Sequence, residues 1–194
     1  MEQQLIQARL DAQSVKKLIY KYSPGRWVTV DEGEILRNIG RLCPEVKNYY
    51  ECGTANGYST CWAILGLSSE ANIHTFDVVD RPKVWNESAF NLSQFKPRVN
   101  FHLGSFEKGI GSLLDDREGS SIFFIDGEHS VGGVSRDWHA IRSYLRRGDV
   151  IILHDLIMRN VAKNWQRIKT ANITSRFIDF ETKRCIGVIF YDAN

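Results

Sequence analysis

The sequence contains no uninterrupted run of ~18 apolar residues, so it encodes no helical membrane span and no membrane association is expected. Its opening residues, MEQQLIQARLDAQ, lack the apolar stretch of a secretory signal, and a cytoplasmic protein is expected. Cysteine is scarce. Cys43, Cys52, Cys61 and Cys185 form neither a C-x-x-C pair nor a zinc spacing, which excludes a disulfide scaffold and fits a reducing compartment. Neither sign of charge dominates: 25 Lys and Arg face 23 Asp and Glu, and a net +2 calls for no nucleic acid. A G-x-G-x-x-G fingerprint is missing, which argues against NAD. A G-x-x-x-x-G-K-[ST] loop and a G-x-S-x-G elbow are missing too, which argues against P-loop ATP hydrolysis and a serine nucleophile. No linker rich in Gly, Pro or Ser divides the 194 residues, and no repeat is visible. What remains, 43% apolar and 25% charged, is an ordinary globular composition of one-domain size.

Residues 2–20 place Leu5, Ala8, Ala12, Val15 and Ile19 on one helical face. Such a helix packs on the domain, closes over a site as a lid, or forms the seam of a homodimer. The turn KYSPGRW separates this element, residues 1–27, from a domain at 28–194. VDEGEILRNIGRL follows as a helix with Ile35, Leu36, Ile39 and Leu42 inward. Strand signals at 46–52, 72–79, 98–104, 121–127 and 149–155 then alternate with helical ones at 58–67, 83–95, 106–116, 134–145 and 157–169. Val134, Trp138, Ile141 and Leu145 share one face of the fourth of these helices, with Gly148 as its stop. Val161, Trp165 and Ile168 face inward on the last one. ITSRFIDF and CIGVIFYD, joined by ETKR, must pair antiparallel because their connection is so short. The alternation implies an α/β fold: a mostly parallel sheet with helices on both faces.

The first strand runs into Glu51-Cys52-Gly53-Thr54-Ala55-Asn56-Gly57-Tyr58-Ser59-Thr60, which opens a helix. Glycine there permits close backbone approach to a ligand, and the helix N-terminus offers free N–H groups. In open α/β sheets the ligand crevice lies at these carboxyl ends. Asp77 ends the second strand 24 residues after Gly53, where a carboxylate can accept from ribose hydroxyls.

The glycine turn, the upstream VDEGEIL, Asp77, and FIDGEHS with IILHD together resemble class I S-adenosylmethionine-dependent methyltransferases. Within these, the chain is most similar to the small O-methyltransferases, including the catechol and caffeoyl-CoA types and bacterial relatives carrying IDGxHS. The resemblance spans about residues 28–192. It implies a Rossmann-like methyltransferase fold with seven strands, the last antiparallel. It implies that Glu51 and Gly53 shape the turn under the methionine part of the cofactor, with Thr54, Gly57 and Tyr58 supporting it. Ser59 would bind the cofactor carboxylate, Asp77 the ribose, and Val78 would pack on the adenine. Gly104 and Ser105 would lie at the adenine edge. Thr29 and Val30 match the stretch that closes over the methionine end.

In this family the strands ending at Asp126 and Asp155 are neighbours, so their ends lie about 5 Å apart. Two carboxylates aimed at one point suit Mg²⁺ or another divalent cation, which would bind the acceptor hydroxyl and favour its deprotonation. The family places Asn or Asp directly after the second Asp as third ligand. Leu156 stands there instead, leaving Glu128 or His154 to compensate. Alternation along a persisting strand would turn His154 away from Asp155, as a buried structural His. His129 follows Asp126 by three residues, where the catechol-type enzymes hold the Lys that removes the hydroxyl proton. An imidazole is apt there, with an ordinary pKa of about 6.5. Asp126, His129 and Asp155 are therefore the expected catalytic residues, and Asp126 also borders the cofactor. His74, His102 and His139 carry no motif and are expected to be structural.

The implied acceptor is a small-molecule hydroxyl, with Tyr20, Tyr22 and Trp27 available to line an aromatic pocket. A cofactor-binding module without catalysis is the alternative that loss of the third ligand favours. An RNA methyltransferase rests only on Arg136, Arg142, Arg146 and Arg147, which on a helix more often form a solvated face. The amino-methylation motif [DN]PP[YFW] is absent, and Cys43-Pro44 reverses the Pro-Cys order used on cytosine C5.

Overall fold

Thr29 begins the first helix as an N-cap. Its hydroxyl accepts from the Glu32 backbone N–H, and its own N–H donates to the Glu32 carboxylate at 2.7 Å, a complete capping box. The helix, α1 (Val30–Leu42), matches the predicted span. The computed structural model describes residues 28–80, 99–172 and 174–192. The predicted helices at 2–20 and 83–95, and the aromatic residues Tyr20, Tyr22 and Trp27, lie outside these residues.

The chain continues through β1 (Val46–Cys52), α2 (Tyr58–Gly66), β2 (Asn72–Asp77) and β3 (Val99–Leu103). Two short helices follow, α3 (Phe106–Gly109) and α4 (Gly111–Asp115), where one was expected. Then come β4 (Ser120–Ile125), α5 (Val131–Arg142), β5 (Val150–Leu153), α6 (Arg159–Ala171), β6 (Arg176–Phe180) and β7 (Ile186–Phe190). The seven strands form one sheet in the order β3-β2-β1-β4-β5-β7-β6. β1 to β5 pair in parallel, and β7 runs antiparallel to both of its neighbours.

Side chains alternate across the sheet and feed two cores. Tyr49 joins Leu36, Ile39 and Trp62 on the α1–α2 face. Tyr50 joins Phe106, Ile110, Trp138, Ile141 and Trp165 on the α3–α6 face. Leu42, expected inward, is exposed, because α1 ends there and Cys43 turns into the core in its place. The fourth predicted helix also ends early, at Arg142 rather than near Gly148. Arg117 donates to the Tyr144 carbonyl at 2.5 Å, which draws the chain off the helical path. Gly148 instead turns the chain into β5, its N–H donating to the Tyr191 carbonyl at 3.0 Å.

Candidate active site

The turn after β1 is tied to the next strand: Gly53 N–H and Thr54 N–H both donate to the Phe76 carbonyl, at 2.9 and 3.1 Å. Gly53 has a φ of +90°, and a Cβ on it would overlap the Asp126 carbonyl at the end of β4. Glycine is therefore required both by conformation and by space. Gly57 caps α2 in the left-handed region, at φ 75°.

Beneath this turn, the fully buried Glu51 carboxylate accepts hydrogen bonds from the hydroxyls of Ser59, Thr60 and Thr75. Burial pushes its carboxyl up to about 7, despite the three donors that favour the charged form. Thr54 shares a hydrogen bond with Thr75. Glu51, Thr54, Tyr58 and Ser59 are thus buried supports of the turn, with the Ser59 hydroxyl committed to Glu51.

A cavity of about 610 Å³ opens at the carboxyl ends of the strands. Gly53, Asp77, Val78, Gly104, Ser105, Asp126, His129 and Asp155, all expected at the site, line it. Asp77 is fixed by accepting from the N–H groups of Ala55 and Val79, each at 2.9 Å. Val78 is exposed and offers an apolar surface.

At the other end of the cavity the acidic strand ends converge. His129 Nε2 lies 3.3 Å from Asp126 Oδ1 and 3.0 Å from Asp155 Oδ2. Hydrogen bonds to these two carboxylates raise the imidazole to about 9, above its ordinary value, although burial works the other way. Asp155 is nearly buried and accepts from Arg184 Nη1 at 2.7 Å. Burial would raise its carboxyl, but His129 and Arg184 outweigh that and hold it below the ordinary range.

His154 departs from expectation. Strand β5 ends at Leu153, and Asp155 adopts φ 60°, so the alternation that would turn His154 away is broken. Its Nδ1 lies 3.1 Å from Asp126 Oδ1 and 3.7 Å from Asp155 Oδ2. Its Nε2 lies 3.3 Å from Glu32 Oε2, without the alignment of a hydrogen bond. Burial disfavours a charged imidazole here, yet Asp126, Glu32 and Asp155 hold its pKa well above the ordinary value.

Glu32, a residue that sequence reasoning missed, joins the N-terminus of α1 to the loop between β6 and β7. Its carboxylate is fully buried and accepts from the Thr182 hydroxyl at 2.7 Å and the Arg184 N–H at 2.9 Å. Burial alone would raise its pKa, but His154, Thr29 and Thr182 outweigh it and hold it low. The Thr-x-x-Glu spacing of the capping box was the available signal. Arg184 was missed as well, because its partner Asp155 lies far off in sequence.

Ligand atoms of Asp126, His154 and Asp155 all lie within 4.8 Å of one another, a grouping able to hold a metal ion. Leu156 packs into the apolar core, and Glu128 points to Arg136 at 2.6 Å. Of the two residues that could compensate for Leu156, the geometry therefore brings in His154. Two carboxylates and one imidazole fit a divalent cation, provided that His154 gives up the proton it shares with Asp126.

Outside the site, His74 Nδ1 and His102 Nε2 share a hydrogen bond of 3.0 Å between β2 and β3. His139 Nδ1 bonds to the Ser135 carbonyl on its own helix. The arginines of the basic cluster are spread over separate partners: Arg136 on Glu128, Arg146 on the Arg117 carbonyl and Arg147 on Asp192. Among the described residues, no helix is long and apolar enough to cross a membrane.

The strand order, the glycine turn under the crevice and the acidic residue ending β2 define the class I, S-adenosylmethionine-dependent methyltransferase fold. The chain belongs to the methyltransferase-domain family, whose model matches residues 50–156, more than half of its length. A putative O-methyltransferase from Klebsiella pneumoniae superposes with a TM-score of 0.70 at 20% identity, over 94% of this chain and 90% of that one. The Streptomyces achromogenes O-methyltransferase involved in tomaymycin synthesis, solved with SAM, gives 0.69 at 16% identity over 94% and 90%. A Bacillus cereus O-methyltransferase, solved with SAH, gives 0.69 at 16% identity over 93% and 90%. These are likenesses of fold. No curated protein matches the chain.

Proposed function

We propose that this methyltransferase transfers the methyl group of S-adenosylmethionine to a hydroxyl oxygen of a small-molecule acceptor. The observation that carries the proposal is the convergence of Asp126, His129 and Asp155 at one end of a cavity whose other end carries Asp77 and Val78. Asp77 is held ready for ribose hydroxyls, Val78 offers a surface for a purine, and Gly53 lets the backbone approach the methionine end. Glu51, Ser59, Thr54 and Tyr58 keep that turn in shape from below.

The sulfonium is already activated, so the protein has two tasks: to align the acceptor with the methyl group and to take its proton. The S–CH₃ bond breaks as the O–CH₃ bond forms, S-adenosylhomocysteine leaves, and the hydroxyl proton goes to a base. His129 Nε2 is the imidazole nitrogen at this point; its two carboxylate partners hold it largely protonated at neutral pH, and the neutral fraction, which grows as the pH rises toward 9, accepts the proton. Asp126 and Asp155 orient the ring and stabilise it once charged. Arg184 fixes Asp155, and Glu32 fixes the loop that carries Arg184. A divalent cation held by Asp126, His154 and Asp155 would acidify a bound hydroxyl and neutralise the carboxylates that keep the proton on His129.

The test is transfer of labelled methyl from S-adenosylmethionine to a panel of phenols, catechols and aliphatic alcohols, with Mg²⁺ or Mn²⁺ and with EDTA. Labelled ether products support the proposal. Loss of turnover in EDTA, mimicked by Asp155→Ala, assigns proton removal to the metal; indifference to EDTA assigns it to His129 alone. Tight cofactor binding without transfer to any hydroxyl would instead favour a binding module.

A further inference from the structure

Helix α6 buries Val161, Asn164, Trp165 and Ile168 on its inner face. On the opposite face Arg159, Lys163 and Arg167 recur at every fourth residue, and all three are exposed. They form a stripe about 12 Å long at 1.5 Å per residue. Among the described residues none of the three has an ion-pair partner, whereas Lys169 on the same helix is held by Asp179 at 2.7 Å. α6 contains no Asp or Glu to balance them. The stripe begins at the mouth of the cofactor cavity: Met158, the residue before it, lines that cavity, and Ile157 beside it is 65% exposed. Arg159, Asn160, Ala162, Lys163 and Gln166 line a second, more open cavity of about 440 Å³ on the outer face of α6.

The start of this helix works against its own stability. Its N-cap, Met158, makes no side-chain bond, and its first turn carries Arg159 and no acid. A cation there opposes the positive end of the helix dipole, and a capping oxygen is missing. The other two long helices of this end of the fold are treated differently: α1 has a capping box with Asp31 and Glu32 in its first turn, and α5 is capped by Ser130. A local choice that opposes the fold is expected where a surface serves a partner. Cations without partners call for an anionic one, and exposed apolar residues beside them for a surface that excludes water. A bilayer fits poorly, because the large apolar side chains of α6 are already buried in the core and its outer face offers only Ala162, Gln166 and Thr170 between the cations. A nucleic acid fits poorly too, because no aromatic residue accompanies the cations on that face.

We propose that the outer face of α6, together with Ile157 and Met158, docks an acidic protein segment. The partner is a helix whose carboxylates recur at every fourth residue, opposite Arg159, Lys163 and Arg167, and whose apolar end covers Ile157 and Met158. Three charge pairs set its register along α6, and the apolar end supplies the dry contact. A segment so placed sits at the mouth of the cavity. The docking surface goes beyond the methyl-transfer reading, and its test needs no turnover.

Fluorescence anisotropy on the full chain tests it with a labelled helix-forming peptide that carries Glu at i, i+4 and i+8 followed by two leucines, and with a scrambled peptide of the same composition. The ordered peptide is expected to bind at ~50 mM salt and to weaken as salt is raised, because exposed charges are screened. Reversing the stripe with Arg159→Glu, Lys163→Glu and Arg167→Glu should weaken binding about 10-fold or more. Reversing three exposed cations on other elements, Arg41→Glu, Lys108→Glu and Arg142→Glu, changes the net charge equally and should leave binding nearly unchanged. The neutral variant Arg159→Gln, Lys163→Gln, Arg167→Gln keeps the helix and avoids repulsion, and should give an intermediate loss. Equal loss in the two reversed variants, or equal binding of the scrambled peptide, overturns the proposal, because the attraction is then general. So does failure of the ordered peptide to bind, or stripe-dependent binding of phosphatidylglycerol vesicles or single-stranded RNA in its place.

Discussion

Asp77 shows how one side chain serves both the fold and the site. Its carboxylate takes the N–H groups of Ala55 and Val79, and so holds Ala55 at φ 44°, a conformation that costs roughly 1–3 kcal/mol in a residue other than glycine. Asp155, at φ 60°, and Cys185, at φ 59°, are likewise left-handed; Asp155 lines the cavity and Cys185 adjoins Arg184, which also does. Asp77→Ala is expected to weaken S-adenosylhomocysteine binding by ~1.5–3 kcal/mol, measured by calorimetry, because it removes the charged acceptor proposed for the ribose. His129→Ala should lower the methyl-transfer rate by about 10²–10⁴-fold and leave cofactor affinity almost unchanged. Joint loss of rate and affinity would place His129 in the cofactor's shell. At this scale the sequence was legible where a motif names the residue: Gly53, Asp77, Asp126, His129 and Asp155 all line the cavity. It was not legible for His154, because alternation was carried past Leu153, where the strand has already ended. Nor was it for Glu32 and Arg184, whose partners are far away in sequence: Glu32 accepts from Arg184 N–H across 152 residues.

Among the elements, β1, β2 and β3 carry a column of stacked rings. Tyr50 stacks on His74, His74 on His102 and His102 on Phe76, with centroids 5.4, 5.3 and 4.5 Å apart. Burial, helped by the neighbouring His102, lowers His74 from 6.5 to about 4. The unfolded chain therefore binds a proton at this residue between pH 6.5 and 4 that the folded chain refuses. Its contribution to stability is full above 6.5 and is lost as the pH falls toward 4. His74→Phe, which keeps a ring in the column, should flatten the pH dependence of urea-unfolding stability across that window. An unaltered slope would show that His74 titrates normally in the folded protein. Elements with a strong period were readable from sequence: α1 has its predicted bounds, and Val161, Trp165 and Ile168 of α6 are buried as expected. Ends set by tertiary contacts were not. The end of α5 is fixed by Arg117, which takes the Tyr144 carbonyl, and no local signal announces that bond.

The whole molecule is pinned at both ends of its sheet. At the end away from the cavity, Arg117 and Asp149 form a fully buried pair at 2.7 Å. Asp149 also accepts from the N–H groups of Ser121 and Arg146, joining the starts of β4 and β5. Asp149→Ala would leave the Arg117 charge buried, and should cost about 3–5 kcal/mol in denaturant unfolding. A loss below about 1 kcal/mol, the worth of an exposed pair, would show that the guanidinium finds water instead. With that end fixed, the carboxyl ends of β1, β2, β4 and β5 are held in register, so that Asp77 and His129 line one cavity. The most direct test of this arrangement is a crystal structure with bound S-adenosylhomocysteine. The ribose hydroxyls should lie within hydrogen-bond distance of Asp77, and the sulfur should face the end of the cavity where Asp126, His129 and Asp155 meet. A ligand seated elsewhere, or with its sulfur turned away from His129, would contradict the account.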